Sequence, residues 1–205
     1  MQTKFLYFDL GKVLINFSID RMLLQIGAVA GITTEAARKA LFGSEMTHRY
    51  ETGQISSHEF YEAFCAATDS HPNRETFTAA ACEIFDLNLP VLPLVTQLRQ
   101  AGYPMGILSN TCEAHWEYCR RHYRIVDEGF NIHALSYCIG ALKPDAAIFH
   151  TAAKLAGHEP GEIFFVDDIT GHVAGAQAAG FDAVQFTTAA ALANELRRRG
   201  IRFNY

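Results

Sequence analysis

Nowhere in the 205 residues is there an apolar run approaching the roughly 18 that a membrane-crossing helix needs. Positive charge is not in surplus either. The chain has 17 Lys and Arg against 22 Asp and Glu, a net charge of −5, which is the wrong sign for holding a nucleic-acid backbone. Cysteine is scarce. The five present (Cys65, Cys82, Cys112, Cys119 and Cys138) are odd in number and form no C-x-x-C pair, which argues against a disulfide framework or a zinc knuckle. Buried thiols in a reducing compartment are the expectation. The opening stretch, MQTKFLYFDL, sets Asp9 inside its apolar segment and has no small-residue cleavage site, so no secretory signal is expected. A composition of 49% hydrophobic and 19% charged residues excludes a disordered chain. These readings together predict a soluble cytoplasmic protein.

What is present divides by texture. Residues 4–10 (KFLYFDL), 104–110 (PMGILSN) and 162–168 (EIFFVDD) are short apolar runs that end in polar groups. Weaker strand candidates are 135–139 and 182–187. Continuous apolar runs of this length suit strands buried on both faces, as in a parallel sheet. Helical patterns cover 90–101, 111–123, 145–156, 170–179 and 188–199, with Gly102, Gly157, Gly180 and Gly200 where helices should stop. This alternation predicts an α/β fold: a Rossmann-like, doubly wound parallel sheet.

Residues 18–88 read differently, with no strand signal and helical spacing of Ala, Glu, Phe and Met. About four helices are expected. One should start at Ser56, with Glu59 completing a capping box. The expected organisation is an α/β core of residues 1–17 and 89–205 with a small all-helical cap, 18–88, inserted after strand one. An insert there can serve as a lid.

Ligands of open α/β sheets bind at the carboxyl ends of the strands. The three strongest strands end in Asp9, in Ser109-Asn110 and in Asp167-Asp168. Converging carboxylates repel and raise one another's pKa, and a hard cation such as Mg²⁺ relieves this. The Ser109 hydroxyl and the backbone N–H groups opening the 111–123 helix could bind phosphoryl oxygens. Lys143 precedes a helix that Pro144 should begin. Its charge could serve a phosphoryl oxygen or the nucleophile. The residues alone therefore predict a Mg²⁺ site beside a phosphate pocket. Cys112, near a helix start, is read as a small packed residue rather than a reactive thiol.

The ordered set Asp9, Ser109, Lys143-Pro144 and Asp167-Asp168 resembles the four-motif pattern of the haloacid dehalogenase superfamily over nearly the whole chain, including a helical cap of the first-insertion type. Phe8-Asp9-Leu10-Gly11-Lys12-Val13 looks closest to bacterial sugar-1-phosphate phosphatases, whose first motif reads F-D-L-G-N-V. The cap stretch Glu51-Thr52-Gly53-Gln54-Ile55-Ser56 is similar to that subgroup too. The resemblance implies a phosphatase that works through an aspartyl-phosphate on Asp9. Mg²⁺ would be held by Asp9, the Gly11 carbonyl, Asp167 and Asp168, phosphate would be bound by Ser109, Asn110 and Lys143, and Lys143 would balance charge. The implied partner is a small phosphorylated metabolite, with no nucleic acid or membrane involved. The protein would be a monomer or weak homodimer.

Two positions depart from the pattern. Phosphatases of the superfamily usually carry a second Asp where this chain has Gly11, and that Asp is the general acid. A slow phosphatase is expected, or one with an acid borrowed from the cap, for which Glu45 and His48 are candidates. His172 stands where the subgroup often has Asn, and could position the loop. Metal-free 2-haloacid dehalogenases also lack the second Asp, but they lack the paired aspartates that this chain keeps. A non-catalytic phosphometabolite-binding protein is the third alternative.

Overall fold

Among the described residues, 2–204 of the computed structural model, a five-stranded sheet forms the centre. Seven strands run in chain order: β1 (Phe5–Phe8), β2 (Ile15–Phe17), β3 (Phe85–Leu87), β4 (Met105–Ser109), β5 (Ile132–Leu135), β6 (Ile163–Asp167) and β7 (Asp182–Gln185). The main sheet has the order β5-β4-β1-β6-β7, and every neighbouring pair in it is parallel. Met1 and Tyr205, the expected ends of the α/β core, lie outside the described residues.

Side chains alternate across β1. Leu6 and Phe8 pack on one face with Leu94, Leu98, Trp116 and Leu196. Phe5 and Tyr7 pack on the other with Phe149, Ala152 and Ala176. Both faces are therefore dry, which is why β1 reads as an unbroken apolar run. The Tyr7 hydroxyl finds its partner inside the core, donating to the Ala152 carbonyl at 2.9 Å.

Five helices separate β2 from β3: α1 (Ile19–Ala30), α2 (Thr34–Phe42), α3 (Met46–Glu51), α4 (Ser57–Thr68) and α5 (Arg74–Cys82). They bury their own core around Leu23, Ile26, Phe64 and Phe77, which Cys112 joins from beyond β4. The capping box is present: Ser56 Oγ accepts from the Glu59 N–H, and Glu59 Oε2 accepts from the Ser56 N–H at 2.8 Å. After β3 come α6 (Leu92–Gln100), α7 (Glu113–His122), α8 (Arg124–Glu128), α9 (Ser136–Ile139), α10 (Ala146–Ala156), α11 (Thr170–Ala178) and α12 (Ala189–Arg198). The doubly wound α/β class follows from these elements. No helix among the described residues is long and apolar enough to cross a membrane.

Several local expectations need correction. The 18–88 stretch does contain a strand: β3 pairs antiparallel with β2, joining Phe17 to Phe85, Asn16 to Asp86 and Ile15 to Leu87. Three-residue strands carry too little periodicity to be read from sequence. The insert has five helices rather than four. The candidate strand 135–139 is shifted, with β5 ending at Leu135 and Ser136–Ile139 turning into α9. Pro144 does not begin a helix, because Asp145 is the N-cap and α10 starts at Ala146. Gly102, Gly157, Gly180 and Gly200 all take positive φ within two residues of helix ends, as expected.

One glycine has a second constraint. Gly53, just after α3, has φ +67°, and a Cβ there would meet the Tyr137 carbonyl oxygen of α9. Gly31, also at φ +67°, faces open space. Gly31→Ala should cost about 1 kcal/mol, the ordinary left-handed penalty. Gly53→Ala should cost about 3 kcal/mol, because backbone must also move. Urea unfolding of both variants checks this, and equal losses would show that the Gly53 loop does not dock on α9.

Candidate active site

Three adjacent strands, β4, β1 and β6, end at one edge of the sheet and bring Ser109, Asp9 and Asp167 together. Lys143 reaches into this edge with its side chain only 1% exposed. Its ammonium donates to Asp9 Oδ1 at 2.8 Å, to Asp167 Oδ2 at 2.6 Å and to the Leu108 carbonyl at 3.0 Å. Those three bonds use all three ammonium hydrogens. Its charge therefore serves the two carboxylates directly, and a phosphoryl oxygen would have to share one of these hydrogens.

The carboxylates are not equivalent. Burial raises the Asp9 pKa to about 6, against the opposing pull of the Lys143 charge. Both hydrogen bonds to its side chain, from Lys143 and from the Leu10 N–H, end on Oδ1. Burial also pushes Asp167 upward, but the His172 hydrogen bond, the Lys143 charge and the Ile169 N–H outweigh it and hold this carboxyl below its ordinary value. His172 Nδ1 lies 3.1 Å from both Asp167 oxygens, so it fixes the orientation of that carboxylate. Asp168 is raised by burial and by the charge of Asp167.

Asp9, Asp167 and Asp168 can each present an oxygen within 4.8 Å of the others. Three carboxylates against one ammonium leave an excess of negative charge, and two of the three have raised pKa values. That donor set fits a hard divalent cation. The Gly11 carbonyl accepts from the Val13 N–H at 2.7 Å and keeps a second lone pair.

Ser109 is buried, and its hydroxyl makes only a long 3.4 Å contact, with the Asn110 carbonyl. The Asn110 side chain clasps the Lys143 peptide: Nδ2 donates to the Lys143 carbonyl at 3.0 Å, and Oδ1 accepts from the Lys143 N–H at 2.8 Å. This amide thus holds the lysine loop. Two of the backbone N–H groups expected to face a ligand at the opening of the 111–123 helix are taken up within the protein. Thr111 N–H donates to Ser136 Oγ, and Ala114 N–H donates to the Tyr50 hydroxyl.

Above Gly11 lies Phe17. A Cβ at Gly11 would sit 2.9 Å from the Phe17 ring. Lys12, at φ 57°, pins that segment by donating to the Phe17 carbonyl at 2.6 Å, with its ammonium 4.6 Å from the ring centre. An aromatic ring therefore crowds the place where a longer side chain at position 11 would project. Nothing in the sequence pointed to this contact, because Phe17 belongs to the unrecognised β2.

Two cavities lie next to each other here, with part of their walls in common. One, of about 120 Å³, is lined by Gly11, Phe17, Ser109, Asn110 and Thr111. The other, of about 100 Å³, lies among the helices and is mostly apolar, with Met22, Ile26, Leu41, Phe60 and Phe77 in its wall. Ile19, Glu51 and His115 line both. Glu45 and His48, the expected cap residues, are exposed, and Glu45 lines a separate surface groove with Arg49 and Glu59. Cys112 is buried and its thiol is pushed up to about 12 by burial, which agrees with a packed rather than a reactive cysteine.

The family model for haloacid dehalogenase-like hydrolases matches residues 6–180. A HAD family enzyme of Bacteroides thetaiotaomicron, crystallised with magnesium and inorganic phosphate, superposes with a TM-score of 0.81 at 26% identity, over 91% of this chain and 95% of its own. A HAD-like family hydrolase from Porphyromonas gingivalis gives 0.80 at 21% identity, over 96% and 99%. An L-2-haloacid dehalogenase from Xanthobacter autotrophicus, with chloropropionic acid covalently bound, gives 0.65 at 18% identity, over 98% and 85%. The last two likenesses speak for the fold alone.

The raised Asp9 carboxyl has a consequence for stability. Its pKa is about 6 in the folded chain against an ordinary 3.8, so the folded state holds the proton more tightly. That stabilises the protein below pH about 4 and is lost as the pH rises through 6. Asp9→Asn should therefore stabilise EDTA-treated protein at pH 7.5, by up to about 3 kcal/mol, a gain that vanishes below pH 4. Melting curves at the two pH values test it, and destabilisation at pH 7.5 would contradict it.

Proposed function

The chain belongs to the haloacid dehalogenase-like hydrolase family, and on that premise we propose that it is a Mg²⁺-dependent phosphomonoesterase acting on a small phosphorylated metabolite. The observation that carries this reading is the set Asp9, Asp167 and Asp168, three carboxylates with oxygens within 4.8 Å of one another against the single ammonium of Lys143. A metal-free hydrolase has no use for that excess of negative charge. The first motif and the 51–56 stretch resemble those of sugar-1-phosphate phosphatases, but the mostly apolar cavity among the helices favours a less polar alcohol than a sugar as leaving group.

In this mechanism Asp9 is the nucleophile. With a pKa of about 6 its carboxylate is ionised at neutral pH, and it forms an aspartyl-phosphate that water then hydrolyses. Mg²⁺, when bound by the Asp9, Asp167 and Asp168 carboxylates and the Gly11 carbonyl, supplies positive charge to the phosphoryl oxygens. Asp168 is the more available of the paired aspartates, because Asp167 already accepts from Lys143, His172 and Ile169. Lys143 holds Asp9 in place and lowers the cost of its burial. Ser109 and the backbone of Asn110 meet the phosphoryl group, while the Asn110 amide keeps Lys143 in register. Residues 18–88 act as a cap of the first-insertion type over a core of 1–17 and 89–205. The five free thiols fit the proposed cytoplasmic location.

One observation favours a second reading. The Phe17 ring crowds the place of the missing general acid, as it could in a phosphometabolite-binding protein that has given up turnover. Phosphate release from p-nitrophenyl phosphate separates the two. Release should require Mg²⁺, stop in EDTA and fall at least 10³-fold in Asp9→Asn. Activity within tenfold of wild type in that variant would remove Asp9 as nucleophile. Tight phosphometabolite binding without turnover would establish the second reading.

Position 11 gives a further expectation. Gly11→Asp alone should not raise the rate, because its side chain meets Phe17. Gly11→Asp combined with Phe17→Ala should raise kcat for alkyl phosphates about tenfold, a fraction of the roughly 10²–10⁴ that a well-placed general acid contributes. A faster single variant would show that Phe17 does not obstruct this position.

A further inference from the structure

A phosphatase with Gly11 in place of its acid needs another proton donor for an alcohol leaving group. Glu51 is the one carboxylate that lines both the cavity beside Gly11 and Ser109 and the apolar cavity among the helices. A monoester with its phosphoryl group in the first and its alcohol in the second would place its bridging oxygen at their junction. We infer that Glu51, at that junction, is the catalytic acid and base of this protein, and that the apolar cavity receives the leaving group. The inference rests on the phosphatase reading above.

Tyr50 and Gly53, on either side of Glu51, both meet the core. Ser57 Oγ donates its one hydrogen to Glu113 Oε2 at 2.7 Å, so the Tyr50 hydroxyl, 2.7 Å away, donates to Ser57. The Tyr50 hydroxyl in turn accepts from the Ala114 N–H at the start of α7, at 3.3 Å. Thr52 Oγ1 donates to the His48 carbonyl at 2.8 Å. Gly53 lies against the Tyr137 carbonyl, where no Cβ fits. Residues 50 and 53 are thus anchored to the core, and Glu51 is carried between them. An acid must be held this way to act on a bound substrate.

The surroundings suit a proton donor. Burial raises the Glu51 pKa, against weaker opposing effects of His115 from α7 and His48 from its own helix. Cys112 and Tyr50, titratable groups of the same cavity, are held neutral by their own burial. His115 does not compete for the role. Its Nε2 lies 3.1 Å from the Ala81 carbonyl and must be the protonated nitrogen, while burial lowers its pKa. In the first step an Asp9 oxygen forms a bond to phosphorus as the bond from phosphorus to the alcohol oxygen breaks. The electron pair stays on that oxygen, which takes the proton of Glu51. In the second step water attacks the aspartyl-phosphate, its proton passes to the Glu51 carboxylate, and the Asp9 carboxylate is released.

The test compares Glu51→Gln with wild type on p-nitrophenyl phosphate and on benzyl phosphate, both with Mg²⁺. Nitrophenolate leaves without a proton, so on p-nitrophenyl phosphate Glu51→Gln should release about one nitrophenolate per chain in a burst and then turn over about 10²-fold more slowly. On benzyl phosphate the variant should show no burst and a loss of about 10³-fold. Wild type should also prefer benzyl phosphate to glucose 1-phosphate in kcat/KM. Losses within tenfold on both substrates, or a slow phase without a burst, would overturn the assignment of Glu51 and leave the phosphatase reading standing. A preference for glucose 1-phosphate would overturn the assignment of the apolar cavity. A wild-type protein silent on all three substrates would overturn both the phosphatase reading and this one. Glu51→Asp, which keeps the acid on a shorter arm, should recover part of the loss. Should Glu51→Gln not fold, Glu51→Asp carries the test, and wild-type rates in it would overturn the assignment.

Discussion

The Lys143 ammonium, held between Asp9 and Asp167, is the contact on which the rest of this edge depends. Two carboxylates at the ends of neighbouring parallel strands, with side chains 9% and 0% exposed, would repel across a medium that screens poorly. The lysine bonds to both, and its third hydrogen goes to the Leu108 carbonyl of β4. One side chain thus ties together the ends of the three central strands. Removing the lysine would leave both carboxylates as uncompensated buried charges, a loss that typically costs about 3–5 kcal/mol. The contact therefore belongs to the fold as much as to the chemistry proposed for it.

The lysine is itself positioned by other groups. The Asn110 amide closes on its peptide, Ser136 holds Thr111 by both its N–H and its carbonyl, and His172 steadies Asp167 from the far side. These polar residues sit just past strand ends, where backbone groups would otherwise lack partners. The site is therefore rigid at its base. Its roof comes from a different part of the chain, the helices between β2 and β3, and the two parts meet at Tyr50, Glu113 and Gly53.

What the sequence made legible was whatever one segment decides by itself. The apolar runs ending in Asp9, Ser109 and Asp167 announced buried parallel strands, and the glycines after the helices marked their ends. Ser56 and Glu59 marked a helix start through a contact three residues long. What stayed hidden depends on pairs distant in sequence. The strands β2 and β3 are three residues each and exist because they pair with one another. Phe17 matters only because that pairing sets its ring over Gly11. Glu51 could not be told from Glu45 or His48, since all three occupy one short segment and only the packing of α3 against α4 and α9 decides which is enclosed. At Lys143 the reading from residues left two roles open, and the bonds to Asp9 and Asp167 turn its charge toward the carboxylates.

The paired strands β2 and β3 also fix the mechanics of the molecule. The chain passes from sheet to helices through β2 and returns through β3, and these two passages are bonded into one narrow ribbon of three residue pairs. That pairing holds the two crossings at one spacing, and it also sets the Phe17 ring over Gly11. A substitution in either strand of the ribbon is therefore felt in two places at once, in the link to the helices and in the wall of the cavity beside Gly11.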